Sequence, residues 1–175
     1  MKELKVIPLT REAFAPFGDV IEVSESAEQR EINEGYTTRF HDLAKLSLSA
    51  EGGQPAINIF RSKPLASPVF IRLMERHPLS SQAFMPLSGR PYLVVVAAPG
   101  ELDPGGITAF LASPQQGVNY HAGTWHHYCL ALESTSDFLV VDRIADDENC
   151  DEIQLKEPLT LNVTLNQTLT QTTAP

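Results

Sequence analysis

The sequence is short of cysteine, of positive charge and of long apolar runs, and each shortage removes a class of protein. Only Cys129 and Cys150 occur in 175 residues. Two thiols build neither the disulfide framework of a small secreted domain nor a cysteine-based zinc site. Lysine and arginine total 13 against 22 aspartates and glutamates, a formal charge of −9. The basic residues are scattered, so the chain lacks the clustered cationic face that a nucleic acid or an anionic membrane needs. No stretch is long and apolar enough to span a bilayer, and Met1 to Pro8 has no apolar segment of signal-peptide length. A cytoplasmic location is therefore expected, in which the sequons at Asn162 and Asn166 carry little meaning. Neither a Gly-Lys-Ser/Thr loop nor a Rossmann glycine fingerprint is present, so nucleotide use has no support.

A sustained helical period is missing too. Thr10 can cap one short helix whose Ala13, Phe14 and Phe17 pack inward, with Pro16 and Gly18 stopping it. The rest reads as short strands separated by Gly and Pro. Leu4 to Val6, Asp19 to Val23, Tyr36 to His41, Ala56 to Arg61, Val69 to Met74, Ile107 to Leu111, His127 to Glu133 and Asp137 to Asp142 are candidates. Tyr92 to Ala98 is almost wholly apolar, the pattern of a strand buried on both faces. Ser24 to Glu31 reads as a surface loop and Asn33-Glu34-Gly35 as a turn. Asp146 to Glu152 is an acidic run without EF-hand spacing, and reads as a solvated turn. This pattern predicts an all-β sandwich or barrel of one domain over residues 1–158. Residues 159–175 form a C-terminal extension, with an edge strand over Leu159 to Leu165 and a mobile Thr-rich tail from Gln167.

Four of the five histidines fall in two segments, Glu75 to Gly89 and Gly117 to His127. Glu75 and His77 are two apart and share a face on a strand. Gln82 can reach the same cavity across a turn. His126 and Tyr128 make a second same-face pair, with His127 pointing away. A converging Glu, His, Gln and His can bind nickel, manganese, iron or zinc. The same groups can also work without metal, as acid and base with an amide to orient substrate. His121 serves equally as a substrate contact or a structural turn residue, and His41 beside Asp42 reads as structural or as a dyad. Arg39, Arg61, Arg76 and Arg143 are candidates for gripping a carboxylate. Arg61, among Ile57, Ile59 and Phe60, is expected to be buried, and Arg143 to pair with Asp142. Burial in an apolar strand for Cys129, and carboxylate neighbours for Cys150, make neither a nucleophile.

The first histidine segment resembles the first cupin motif, with Glu75 at its first His, His77 at its second, Gln82 at its Glu, and Gly89. The second segment resembles the second motif, with His121 at its Pro, then Gly123 and His126. More specifically, Leu4 to Ile153 resembles the ureidoglycolate lyase family. Thr38 to Ala44, Leu73 to Leu79, Gln82 to Leu87, Gln116 to His121 and Trp125 to His127 carry that likeness. The resemblance implies a cupin-type double-stranded β-helix barrel, usually a homodimer. It implies cleavage of (S)-ureidoglycolate to glyoxylate and urea in allantoin degradation, with nickel as cofactor.

On that reading Glu75, His77, Gln82 and His126 hold the metal or move protons. Arg61, His121, Tyr128 and Arg143 bind substrate. Gln82 and His121 orient the ureido and carboxylate groups, and Arg61 balances the negative charge. Two other classes fit a cupin scaffold. One is a metal-dependent oxygenase or sugar isomerase; the other is a non-catalytic ligand-binding sensor, against which the lack of a helix-turn-helix pattern counts.

Overall fold

A computed structural model describes residues 2–163; the expected tail from Gln167 lies outside the described residues. In chain order the strands are β1 (Val6–Pro8), β2 (Gly18–Ile21), β3 (Glu28–Ile32), β4 (Thr37–His41), β5 (Gln54–Ser62), β6 (Val69–Arg76), β7 (Gln82–Pro86), β8 (Tyr92–Ala97), β9 (Thr108–Ala112), β10 (Gly117–Tyr120), β11 (Trp125–His126), β12 (Leu130–Ala131), β13 (Ser136–Ile144) and β14 (Asp151–Leu161). The one α-helix among the described residues, α1 (Arg11–Phe14), starts where Thr10 accepts a hydrogen bond from the Ala13 amide. Phe14 and Phe17 turn into the core beneath it.

Two sheets carry the architecture. The first runs β1-β9-β8-β11-β6-β14, with β12 also on β8; the second runs β2-β10-β7-β13-β5. They curl against each other as a cupin-type β-barrel. Strand β8 shows why the first sheet is central. Tyr92, Val94 and Val96 belong to the core shared with Phe84, Val118, Tyr120, Phe138 and Val140 of the second sheet. Leu93, Val95 and Ala97 face the opposite way, into a second core with Ile71, Met74, Trp125, Leu159 and Leu161. A period of two with both faces apolar is what a doubly covered strand requires. Each large side chain so buried contributes about 1.5–3 kcal/mol.

Elsewhere the strands depart from the pattern read in the sequence. Ser24 to Glu31 holds β3, which pairs with β4 across a turn in which Asn33, Glu34 and Gly35 all have positive φ. Every residue of β3 is exposed, so no apolar alternation marks it. The expected strand over His127 to Glu133 shortens to β12, because residues 127–129 leave the ladder. Strand β14 starts within the acidic run and continues past residue 158. A register shift between Gln154 and Leu159 accommodates Pro158, a residue that sheets tolerate at bulges. Leu159 and Leu161 are buried, and Thr160 exchanges backbone hydrogen bonds with the segment at Lys2 and Leu4.

The second sheet is held tightly where it faces the first. Gly18 pairs with Tyr120, and a Cβ at residue 18 would lie 1.9 Å from the Asn119 carbonyl oxygen. Only glycine permits that approach, and it sets the position of Tyr120.

Candidate active site

The two sheets bring chemistry together at the ends of β6 and β11. Glu75 and His126 are directly paired across these strands, so their side chains share a face. His77 follows one residue after β6, and its ring centroid lies 5.2 Å from that of His126. From the second sheet, the Tyr120 ring stacks on His126 with centroids 4.5 Å apart and planes 6° from parallel. Glu75, His77 and His126 each offer one ligand atom within 4.8 Å of the others.

The hydrogen bonds decide which ring nitrogens are free. His77 Nδ1 is 2.7 Å from the Asn149 carbonyl oxygen. A carbonyl can only accept, so Nδ1 carries the proton and the neutral ring's lone pair sits on Nε2. His126 Nδ1 faces two acceptors, the His127 carbonyl oxygen at 3.4 Å and Glu75 Oε1 at 3.5 Å. Its lone pair is again on Nε2. Among the described residues, both Nε2 atoms are buried without a partner.

Burial also sets the charge states. It pushes His126 down to about 3, with the neighbouring His77 adding to the effect. His126 is therefore a neutral nitrogen donor near neutral pH. Burial raises the Glu75 carboxyl, with His77 opposing and Glu152 reinforcing the rise. Burial lifts the Tyr120 phenol well above its usual range, so it stays protonated. Two buried imidazole lone pairs beside a carboxylate suit a divalent transition-metal ion, since buried polar atoms are costly unless something satisfies them.

The remaining candidates sit elsewhere or at the margin. Gln82 is buried and pairs with Tyr120 in register, so it lies beside the ring that covers His126. The turn at His121 backs onto the site, the Gly123 amide donating to the His77 carbonyl at 2.9 Å. Yet the His121 ring turns to Asp19 at 3.3 Å, and Asp19 also accepts from Asn119 and the Lys45 amide. Tyr128 does not share a face with His126, because alternation ends with β11. It instead packs on His127, with ring centroids 3.8 Å apart. Both line a cleft of about 430 Å³, with Phe70, Arg72 and Leu73, that includes none of the Glu75–His77–His126 set.

The arginine expectations need correction. Arg61 is exposed and makes a bidentate pair with Asp137 at 2.8 Å, its cross-strand neighbour. Its apolar neighbours misled because β5 is the edge of the second sheet, where Ile57 and Ile59 are themselves exposed. Arg143 pairs with Asp147, not Asp142, and also donates to the Ala50 carbonyl. Asp142 accepts from Asn58. Arg76 lies over the Trp125 ring at 4.5 Å and bonds Asp151, while Arg39 is exposed on the β3–β4 hairpin. His41 closes that hairpin, and the neighbouring Asp42 pairs with Lys45.

Two contributors escaped the sequence reading. Tyr120 lies in the Gln116 to His121 stretch that carries the family likeness, but nothing there singled out its ring. Asn149 carried no signal, being one polar residue in an acidic run.

A family model described as ureidoglycolate lyase matches residues 1–162. Among curated relatives named ureidoglycolate lyase, one from Burkholderia mallei is 55% identical over 161 residues, covering 92% of this chain and 94% of the relative. Another from Burkholderia cepacia is 55% identical over 154 residues, covering 87% and 86%. A third from Brucella abortus is 55% identical over 152 residues, covering 87% and 89%. With a match over nearly its whole length, and the Glu75–His77–His126 cluster inside it, this chain belongs to the ureidoglycolate lyase family.

Proposed function

We propose that this chain is a ureidoglycolate lyase that cleaves (S)-ureidoglycolate to glyoxylate and urea, with Glu75, His77 and His126 at the reacting centre. The observation that carries the placement is the pair of buried, unpartnered Nε2 atoms beside a carboxylate.

The substrate carbon bears a carboxylate, a hydroxyl and a ureido nitrogen. Cleavage removes the hydroxyl proton, forms the carbonyl, breaks the carbon–nitrogen bond and returns one proton to the departing nitrogen. Glu75 is suited to carry that proton both ways. Its partly desolvated carboxyl binds a proton more readily than an exposed one. His126 holds Glu75 from one side and is itself fixed in plane by Tyr120. Gln82, beside Tyr120, offers an amide to the ureido group. His77 and His126 would hold a divalent ion, nickel by the family resemblance, with Glu75 either its third ligand or the proton carrier. When bound, such an ion polarises substrate oxygens and offsets negative charge.

The purified chain is expected to release glyoxylate and urea in equal amounts from ureidoglycolate, and to lose most of that rate to a chelator. Ammonia in place of urea would make it an amidohydrolase and overturn the reading.

We also take the protein to be a cytoplasmic homodimer. Among the described residues no helix is long and apolar enough to cross a membrane. The edge strand β5 exposes Ile57 and Ile59, and an unpaired apolar edge is a natural contact for a second copy. Size-exclusion chromatography with light scattering at the monomer mass would refute the dimer.

A further inference from the structure

Asn149 sits in the acidic run between β13 and β14, far in sequence from the residues it touches. Its backbone carbonyl accepts the His77 Nδ1 proton at 2.7 Å. Its side chain is bound twice to the turn that follows His77. Asn149 Oδ1 accepts from the Leu79 amide at 2.8 Å, and Nδ2 donates to Ser80 Oγ at 2.9 Å. One residue thus grips the turn with its side chain and the imidazole with its main chain. The residues around it, Asp146 to Glu148 and Cys150, are exposed, whereas Asn149 is half-buried.

We infer that Asn149 is a positioning residue for the lyase reaction, its side-chain clamp holding the carbonyl that keeps the His77 proton on Nδ1 and the lone pair on Nε2. The inference rests on the functional reading above, since it concerns the same histidine. The physical reasoning is direct. A lone imidazole exchanges its proton between two nitrogens, and the tautomer is chosen by whichever partner the ring finds. Here the partner is a loop carbonyl, and a loop carbonyl stays in place only if its residue is held. Leu79 and Ser80 supply that hold from His77's own turn, so ring and carbonyl move as one unit. Removal of the clamp leaves the loop held at its sides by the Arg143–Asp147 and Arg76–Asp151 pairs but no longer at Asn149 itself, and Nε2 then gains a proton in part of the population. Partners of this kind, one step removed from the reacting atoms, are typically worth 10- to 100-fold in activity or metal affinity.

The test compares full-length wild type with Asn149→Ala, Asn149→Asp and Ser80→Ala. The first readout is the 15N spectrum of histidine-labelled, chelator-treated protein, with the His77 signals assigned from a His77→Gln spectrum. Wild type is expected to show His77 as a single form, protonated at Nδ1. Asn149→Ala is expected to shift His77 toward Nε2 protonation and to lower kcat roughly tenfold, with KM changed by less than about threefold. Asn149→Asp keeps an acceptor for the Leu79 amide and accepts from the Ser80 hydroxyl, so it is expected to restore both the tautomer and most of kcat. Ser80→Ala removes one of the two side-chain bonds and keeps the fold accessible if Asn149→Ala is unstable. It is expected to show a smaller shift in the same direction. An unchanged His77 tautomer in both Asn149→Ala and Ser80→Ala overturns the inference, as does a loss of kcat that Asn149→Asp leaves unrepaired. A tautomer shift in a protein whose wild type releases no urea upholds the clamp and overturns the functional reading instead.

Discussion

Two regions of this molecule treat polar groups in opposite ways. Along the β13–β5 side of the second sheet, the exposed Arg61 and the enclosed Arg143 have carboxylate partners, Asp137 and Asp147, and every one of these bonds is 2.6–2.8 Å. Where the two sheets meet, His77 and His126 keep Nε2 atoms that are buried and bonded to nothing among the described residues. A satisfied and exposed pair such as Arg61–Asp137 contributes little and asks for nothing more. A buried nitrogen without a partner costs stability unless a ligand, substrate, ion or water completes it. On the proposed function, the difference separates residues that hold the barrel from residues that meet a reactant, and residue type alone does not reveal it.

That contrast can be broken or sharpened in four ways, in descending size. Glu75→Gln keeps shape and volume but removes the proton carrier. Its rate of urea release is expected to fall by roughly 10²–10⁴-fold with the far-ultraviolet circular dichroism unchanged. A rate near wild type would remove Glu75 from the chemistry. Next, Gly18→Ala forces a methyl against the Asn119 carbonyl and displaces Tyr120 from His126. Overpacking of this kind costs about 1–3 kcal/mol, readable as a lower guanidinium midpoint together with reduced kcat.

The third concerns pH. Burial lowers His126 to about 3 and His127 to about 4 in the folded chain. The unfolded chain protonates both near 6.5. Between those values the unfolded state binds protons that the folded state refuses, so stability falls as pH drops below about 6.5 and levels off near the folded values. From pH 7 to pH 5 the loss is at most about 2 kcal/mol for each histidine, visible in guanidinium titrations at the two pH values. A midpoint that rises on acidification would contradict the burial of these rings. The smallest effect is expected for Arg61→Ala, whose turnover should stay within about twofold of wild type because exposed ion pairs of this kind carry little energy.

The sequence made some of this legible for identifiable reasons. The doubly buried strand at Tyr92 to Ala97 shows as an unbroken apolar run, and Glu75 with His77 shows by a spacing of two. The capped helix at Thr10 to Phe14 follows from local chemistry alone. What depends on partners distant in the chain stayed hidden. The hairpin strand Glu28–Ile32 is exposed on both faces and leaves no periodic trace. Arg61 looked buried because its neighbours are apolar, but the strand order makes that strand an edge. Tyr128 was placed with His126 by counting along a strand that ends at His126. Asn149 reaches His77 across 72 residues, a contact that loop closure decides and no local pattern records.

The central proposal is that the two unpartnered Nε2 atoms clustered with Glu75 mark the reacting centre, the likewise unpartnered His41 Nδ1 lying on the β3–β4 hairpin outside that cluster. Its most direct measurement is the rate of urea release from ureidoglycolate by His126→Ala and His77→Ala, set beside Arg61→Ala under the same conditions. The account predicts that both histidine variants fold, by circular dichroism, and lose at least about a hundredfold in rate, while the arginine variant keeps its activity. Histidine variants that turn over as fast as the arginine variant would contradict it.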